Sequence, residues 1–310
     1  MDDELFTIAE ATSRSSVVAP FGHVLTAMVT VFDDDGELDV EGTAAVADHL
    51  VSSGCDGLVV NGTTGESSTT TDLEKEAILQ AVLGAVGDRA RVVAGVGSND
   101  TAHTIAMAQA AAGAGVHGLL VVTPYYNRPP QTGLLAHFTS VADATDLPVM
   151  VYDIPGRTGT PIATDTLVRL AEHPRILAVK DAKDDLFAAS GVMASTELAW
   201  YSGTDQLNLA HLTQGAVGMV SVVGHVAAPA YVEMVRALNA GDLAGAIRIH
   251  RALLPAVDAV MHTTQGAIMA KAAVQMLGVT TSRAMRAPLP TATDSEVDTL
   301  RAGLSQAGLL

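Results

Sequence analysis

Several residue types are scarce in this chain of 310 residues, and each scarcity excludes a class of protein. A single cysteine, Cys55, excludes both an internal disulfide framework and a cysteine-based metal site. The 17 basic residues face 34 acidic ones, and a net charge of −17 leaves no basic surface for a nucleic-acid backbone. No apolar run approaches the roughly 18 residues of a membrane span. The acidic start also lacks the pattern of a signal peptide. We therefore expect a cytoplasmic protein that binds neither nucleic acid nor membrane.

Metal and nucleotide sites are also not indicated. The ten histidines are scattered, and none lies at the spacing of a metal-ligand pair. A Gly-x-Gly at Gly95 and Gly97 lacks the third glycine and the later acid of a dinucleotide-binding motif. We expect no metal and no bound cofactor.

Eight short apolar segments alternate with longer segments of helical period. Strands of a parallel sheet covered on both faces are continuously apolar, and eight such strands are the number that closes a barrel. The sequence thus predicts the α/β class and a (β/α)8 TIM barrel. The predicted strands are residues 24–29, 57–61, 91–95, 118–123, 148–153, 176–180, 199–202 and 218–223.

Three further helical segments follow the eighth strand, at residues 243–261, 267–277 and 294–308. A bare barrel does not require them, so they predict a C-terminal helical extension. We divide the chain into an N-terminal extension (1–20), the barrel (21–235) and a C-terminal helical region (236–310). Within the second βα unit, Thr71 and Glu74 have the spacing of a helix capping box.

The sixth predicted strand ends in a lysine, Lys180. Active sites of such barrels lie at the carboxyl ends of the strands, where a lysine amine is partly removed from water. Desolvation lowers the pKa of a lysine, and a neutral amine can attack a carbonyl group to form an imine. A lysine here can equally reach solvent or pair with Asp181.

Polar groups follow three other strands. After the second comes the turn Gly62-Thr63-Thr64-Gly65-Glu66, whose backbone N–H groups and hydroxyls could hold a carboxylate. Tyr125-Tyr126 follow the fourth strand, and Tyr152 with Arg157 ends the fifth, offering a phenol for proton transfer and a guanidinium for a carboxylate. Taken alone, each of these groups can also be explained by an ordinary structural role.

In combination, these motifs resemble the dihydrodipicolinate synthase and N-acetylneuraminate lyase family of barrels, from about residue 26 to residue 223. The threonine turn, the tyrosine pair and the strand-six lysine each fall on the strand where that family carries them. The sequence around Arg157 is similar to the dihydrodipicolinate synthase branch. There the arginine serves the carboxylate of aspartate semialdehyde, and sialic-acid lyases do not keep it.

The resemblance implies a role for each matching residue. Lys180 would form the Schiff base with pyruvate, so no separate cofactor is needed. Tyr152 would donate and accept protons. Thr63 and Tyr126 would complete a hydroxyl relay with Tyr152. Thr64 would bind the pyruvate carboxylate, and Arg157 would bind the carboxylate of the aldehyde substrate. The backbones of Gly203 and Val220 would line the pocket.

The implied reaction is the condensation of pyruvate with L-aspartate 4-semialdehyde to 4-hydroxy-tetrahydrodipicolinate, a step of lysine and diaminopimelate biosynthesis. A pyruvate aldolase or dehydratase acting on N-acetylneuraminate, a 2-keto-3-deoxy sugar acid or hydroxy-oxoglutarate is a second possibility. A catalytically silent barrel used for binding is a third. In the family Tyr126 enters the neighbouring subunit's site, so the resemblance also implies a homotetramer built as a dimer of dimers.

Some positions differ from the common family pattern. Asp153 stands where many members have asparagine, and Thr204 where an acid is usual. At the family's lysine-inhibition surface Ser67, Asn99 and Tyr125 match, whereas Asp72, Lys75 and His103 replace two histidines and a glutamate. Because the ammonium of Lys75 repels a lysine ligand, we expect weak or absent feedback by lysine.

Overall fold

The computed structural model describes residues 17–310, and its centre is a closed barrel of eight parallel strands. Each strand pairs with its neighbours in chain order, and the eighth pairs with the first. The (β/α)8 TIM barrel predicted from the sequence is confirmed. The strands are β1 (Val24–Ala27), β2 (Gly57–Val60), β3 (Arg91–Gly95), β4 (Gly118–Val122), β5 (Val149–Asp153), β6 (Ile176–Asp181), β7 (Ala199–Ser202) and β8 (Gly218–Ser221).

Strands β1 and β8 are shorter than predicted. Their pairing stops early because the following N–H groups find other acceptors: that of Val29 donates to a ring nitrogen of His225 at 3.1 Å, and that of Val222 to the carboxylate of Asp205 at 2.8 Å. The remaining strands match their predicted positions to within one residue at each end.

Helices follow the strands around the outside of the barrel. Their amino-terminal caps agree with local sequence; Thr71 and Glu74 form the predicted capping box. The helices are α1 (Val40–Ser52), α2 (Asp72–Val86), α3 (Thr101–Ala114), α4 (Gln131–Asp143), α5 (Pro155–Thr158), α6 (Thr164–Leu170), α7 (Leu186–Ser195), α8 (Asn208–Thr213), α9 (Gly224–Asn239), α10 (Leu243–Met261), α11 (Gly266–Met276) and α12 (Asp294–Gln306).

Two apolar clusters hold these layers together. Outward-facing strand residues pack with the helices, and inward-facing ones, together with Phe21, fill the barrel. Side chains alternate along a strand, so Tyr152 faces inward whereas Val151 and Asp153 face the helices. The position of a polar residue along its strand therefore determines whether its side chain enters the barrel or faces the helices.

The C-terminal helical extension is also confirmed, since α10 packs on α9 and α12 packs on α10. Helix α9 runs across position 235, where the sequence predicts the barrel to end, and the predicted domain boundaries stay a prediction. Most of the predicted N-terminal extension, residues 1–16, lies outside the described residues. Among residues 17–310 no helix combines the length and the apolar character needed to cross a membrane.

Candidate active site

Lys180 lies at the carboxyl end of β6 and points into the barrel. Its strand neighbours are Tyr152 on β5 and Tyr201 on β7. The side chain is 5% exposed, and its Nζ atom lies 4.2 Å from the centre of the Tyr152 ring. The lysine thus meets an aromatic face and apolar strands rather than solvent.

The surroundings change the acidity of this amine. Burial lowers the pKa of Lys180 from its ordinary 10.5 to about 7, and the nearby charge of Arg157 lowers it further, while the carboxylate of Asp205 acts in the opposite direction. Burial dominates because a charged ammonium loses its hydration inside the barrel. A substantial fraction of Lys180 is therefore neutral at neutral pH, as nucleophilic attack on a carbonyl requires.

Tyr152 provides a protonated phenol beside this amine. Burial raises its pKa to about 12, and the charge of Arg157 and a hydrogen bond with Thr63 oppose that rise. The phenol keeps its proton at neutral pH, so it can donate a proton and take it back. The interaction with Thr63 joins the second and fifth strands at the barrel mouth.

The threonine turn is a compact structure fixed by its own backbone. The N–H groups of Gly65 and Glu66 donate to the carbonyls of Gly62 and Thr63 at 3.1 and 3.2 Å. The hydroxyl of Thr30 donates to the Gly65 carbonyl at 2.8 Å. Thr64 is buried within this turn. Such a turn presents its hydroxyls from a rigid base.

A neighbouring glycine allows the turn to sit against the barrel. A Cβ atom at Gly95, the last residue of β3, would lie 2.4 Å from the carbonyl oxygen of Asn61. That distance is shorter than real Cβ contacts, so no larger residue fits there without moving the turn. The motif at Gly95, which superficially resembles part of a nucleotide-binding sequence, thus has a packing role.

A cleft of about 510 Å³ opens beside the threonine turn and the end of β5. Thr63 and Arg157 line it, as do the residues at the predicted inhibition surface: Ser67, Asp72, Lys75, Asn99, His103 and Tyr125. Arg157 is presented by the short helix α5, directly after β5. Two predicted site residues, Thr63 and Arg157, therefore line the cleft, and the guanidinium of Arg157 is suited to binding a carboxylate.

Gly203 lies beside the lysine, and Val220 lies in the barrel interior. A Cβ atom at position 203 would lie 2.8 Å from the carbonyl oxygen of Asp181 and 3.1 Å from Cγ of Lys180. Gly203 therefore packs directly on the lysine stem. Val220 belongs to the interior cluster that contains Tyr152.

Within the single chain, the side chain of Tyr126 does not lie with the other predicted site residues. Its side chain is 89% exposed, and its backbone has a positive φ of 70°. The preceding Tyr125 lines the cleft instead. The two adjacent tyrosines thus face different surroundings, and Tyr126 extends away from its own chain's site.

One charged residue of the site is absent from the sequence prediction. Asp205, after β7, is 3% exposed, and its carboxylate accepts hydrogen bonds from the Tyr231 hydroxyl at 3.0 Å and the Val222 N–H at 2.8 Å, as well as from Ser221. Its charge raises the pKa of Lys180. An acid three residues after the end of a predicted strand is the sequence signal that could have drawn attention to it.

The departures from the family pattern at Asp153 and Thr204 are held by residues other than the lysine. Asp153 points outward from β5, where both of its carboxylate oxygens lie 3.2 Å from the Ile162 N–H and one lies 3.9 Å from Nζ of Lys183. Thr204 donates to the carboxylate of Asp184 at 2.7 Å. Within residues 17–310 there is no group of three or more His, Cys, Asp or Glu side chains arranged to hold a metal ion.

Comparison with known proteins gives a consistent picture. The chain matches the Dihydrodipicolinate synthetase family over residues 20–307. It is 61% identical to a 4-hydroxy-tetrahydrodipicolinate synthase from Kineococcus radiotolerans over 290 residues, which is 94% of each chain. The structure resembles that of a lysine-bound dihydrodipicolinate synthase from Cyanidioschyzon merolae, with a TM-score of 0.91 at 40% identity over 94% of this chain and 99% of that one. It also resembles a pyruvate complex of the Acinetobacter baumannii enzyme, with a TM-score of 0.89 at 31% identity over 94% and 99% of the two chains. The family suggested by the sequence motifs is thereby confirmed: the chain belongs to the dihydrodipicolinate synthetase family.

Proposed function

We propose that this chain condenses pyruvate with L-aspartate 4-semialdehyde to give 4-hydroxy-tetrahydrodipicolinate. The observation that carries the proposal is a buried lysine whose pKa is lowered to about 7, lying against the ring of a protonated tyrosine inside the barrel. The name of the Kineococcus relative, which is 61% identical to this chain over 290 residues, supports the same reaction.

The first step is formation of an imine. The neutral Nζ of Lys180 attacks the keto carbon of pyruvate, and the carbonyl oxygen leaves as water after taking up two protons. Tyr152 supplies and recovers the proton that this exchange needs, with Thr63 next to it. The hydroxyl and N–H groups at Thr64 hold the pyruvate carboxylate.

Carbon–carbon bond formation follows. The imine withdraws electrons from the pyruvate methyl group, so loss of a methyl proton gives an enamine nucleophile. The enamine carbon attacks the aldehyde carbon, whose oxygen takes a proton and becomes the 4-hydroxyl group. The amino group of the second substrate then attacks the imine carbon, closes the ring and releases the Lys180 amine. Tyr126 of a neighbouring subunit completes the proton relay.

Arg157 selects the second substrate in this proposal. It lines the cleft together with Thr63, its charge acts on Lys180, and its guanidinium can pair with the carboxylate of aspartate semialdehyde. In this proposal the backbones of Gly203 and Val220 line the pocket around the lysine. Sugar-derived aldehydes carry hydroxyl groups in place of that carboxylate, so they form no ion pair with Arg157.

Covalent trapping tests the proposal most directly. The chain is incubated with pyruvate, reduced with borohydride and weighed intact by mass spectrometry. We expect one pyruvate adduct, lost in Lys180→Met and kept in Lys183→Met, a matched control at a neighbouring lysine. An unmodified wild-type chain would support a silent barrel instead.

A coupled assay with a panel of aldehydes then tests the substrate. We expect turnover with aspartate semialdehyde to exceed that with N-acetylmannosamine, a sugar aldehyde or glyoxylate, and Arg157→Gln to raise KM for aspartate semialdehyde while the pyruvate adduct still forms. Faster turnover of any of the others would identify a different pyruvate aldolase.

The assembly and setting of the enzyme are part of the proposal. The exposed Tyr126 needs a second subunit, and we propose a homotetramer in the cytoplasm, with the Lys180 imine taking the place of a separate cofactor. Sedimentation at assay concentrations tests the assembly. A fully active monomer would remove the role given to Tyr126.

A further inference from the structure

The last residue of the threonine turn has an unusual environment. Glu66 has a positive φ of 55°, a backbone conformation that disfavours a side chain of this kind. Its carboxylate is not in solvent: the side chain is 1% exposed and lies 2.5 Å from Nζ of Lys271, whose side chain is 2% exposed. A buried ion pair therefore fixes a strained residue two positions after Thr64.

The partner groups come from the C-terminal extension. Lys271 lies on α11 and also donates to the carbonyl of Ala284 at 2.7 Å, with its Nζ 4.1 Å from the centre of the Phe32 ring. The backbone N–H of Arg286 donates to the second carboxylate oxygen of Glu66 at 3.0 Å. Both carboxylate oxygens thus point to groups more than 200 residues further along the chain.

The side chain of Arg286 makes a second, separate connection. It pairs with Glu74 on α2 through two contacts of 2.5 and 2.9 Å and donates to the carbonyls of Gly36 and Thr69 at 2.8 and 3.0 Å. The extension therefore holds the turn through Glu66 and the following helix through Glu74. These two carboxylates offer a matched comparison, because only the first belongs to the turn.

We propose that Glu66, held by Lys271 and the Arg286 backbone, is a positioning residue that keeps Thr63 and Thr64 aligned with Lys180 and Tyr152. This inference rests on the proposed function. The Glu66 N–H donates to the Thr63 carbonyl, so a rotation of Glu66 moves the threonine that interacts with Tyr152. The C-terminal helices thereby contribute to the alignment of the active site as well as to packing.

The expected kinetic effect follows from the roles of the two threonines. Glu66→Gln keeps the shape of the side chain but removes the charge that pairs with Lys271. A displacement of the turn by a fraction of an ångström lowers kcat/KM for pyruvate on the order of tenfold to a hundredfold. We expect a higher KM for pyruvate through Thr64 and a lower kcat through Thr63, with KM for the aldehyde nearly unchanged. Lys271→Met changes the same constants in the same direction, and Glu66→Asp retains more activity than Glu66→Gln.

Glu74→Gln is the control. It removes one negative charge that faces the same C-terminal segment, but outside the turn. We expect a lower Tm, with kcat/KM for pyruvate within about twofold of wild type. The contact between Glu74 and Arg286 stabilises the fold but does not hold the threonine turn, so its loss affects stability alone. Activities are expressed per folded chain, at a temperature well below the Tm of every variant.

Three results decide the matter. If the folded Glu66 and Lys271 variants keep their pyruvate constants and lose only stability, as Glu74→Gln does, the positioning role is refuted. If Glu66→Gln does not fold, Glu66→Asp and Lys271→Met carry the same comparison, and unchanged pyruvate constants in them refute it equally. A wild-type chain that forms no pyruvate adduct would overturn the proposed function itself, which is a different outcome from an active wild type with unaffected variants.

Discussion

Lys180→Met should stabilise the folded chain while abolishing imine formation. Methionine has nearly the length of lysine and fills the same apolar space without a charge. In the wild type, burial depresses the pKa of Lys180 from 10.5 to about 7. The folded state thus binds a proton more weakly than the unfolded state does, and this difference destabilises folding wherever the unfolded lysine is charged.

The size of the effect depends on pH in a defined way. One pKa unit corresponds to about 1.4 kcal/mol, so the depression destabilises the folded chain by about 5 kcal/mol at pH 6. Between pH 7 and 10.5 the folded amine has released its proton while the unfolded lysine still binds one, so the destabilisation falls by about 1.4 kcal/mol per pH unit, to about 2 kcal/mol at pH 9. The gain from Lys180→Met should therefore shrink by about 3 kcal/mol between these pH values.

Urea denaturation of wild type and Lys180→Met at pH 6 and pH 9, at one protein concentration, measures this difference. Changes in packing contribute equally at both pH values and cancel in the comparison. A gain that is independent of pH, or a variant less stable than wild type at pH 6, would refute the claim that burial lowers the pKa of this amine.

Three other predictions follow from the site. Tyr152→Phe keeps the ring against Lys180 but removes the phenol, so borohydride should still trap the pyruvate imine while kcat in the coupled assay falls roughly 100-fold or more. Burial raises the pKa of Asp153 from its ordinary 3.8 to about 7, so the folded state holds a proton that the unfolded state releases, and the destabilisation is complete above pH 7. Asp153→Asn should thus raise Tm at pH 8 and leave it nearly unchanged at pH 4 in thermal melts. Lysine should inhibit weakly, because the Lys75 ammonium lies in the cleft, 3.7 Å from Asp72, where a ligand ammonium would be repelled. Half-inhibition by submillimolar lysine at neutral pH would contradict that expectation.

The barrel could be predicted from the sequence because its determinants are local. Each strand is a short, continuously apolar segment, and a parallel sheet buried on both faces requires this pattern everywhere along the chain. The ends of β1 and β8 were harder to place. They depend on His225 and Asp205, which compete for backbone N–H groups from distant positions.

The candidate site was predictable where its residues stand at strand ends in recognisable motifs, as Lys180, Tyr152 and the threonine turn do. Closure of the barrel then brings these strand ends together. Asp205 and Lys271 stand in no recognisable motif, although Asp205 does follow a predicted strand. Asp205 begins a short 3-10 helix just after Thr204, which occupies the expected acidic position, and Lys271 lies on an ordinary alanine-rich helix. Only the three-dimensional structure shows what they contact.

Lys180 and Lys271 show why burial alone does not determine what a lysine does. Burial lowers the pKa of both amines. For Lys271 the carboxylate of Glu66, 2.5 Å away, opposes this lowering, whereas Lys180 forms no ion pair with any residue in the range 17–310. Removing the two ammonium groups should therefore have opposite effects on stability. Lys271→Met leaves the Glu66 carboxylate buried without a partner and should destabilise the chain by about 3 kcal/mol or more, while Lys180→Met stabilises it. Urea denaturation of both variants at pH 6 measures the two signs together, and equal signs would mean that the carboxylate at Glu66 does not distinguish the structural lysine from the reactive one.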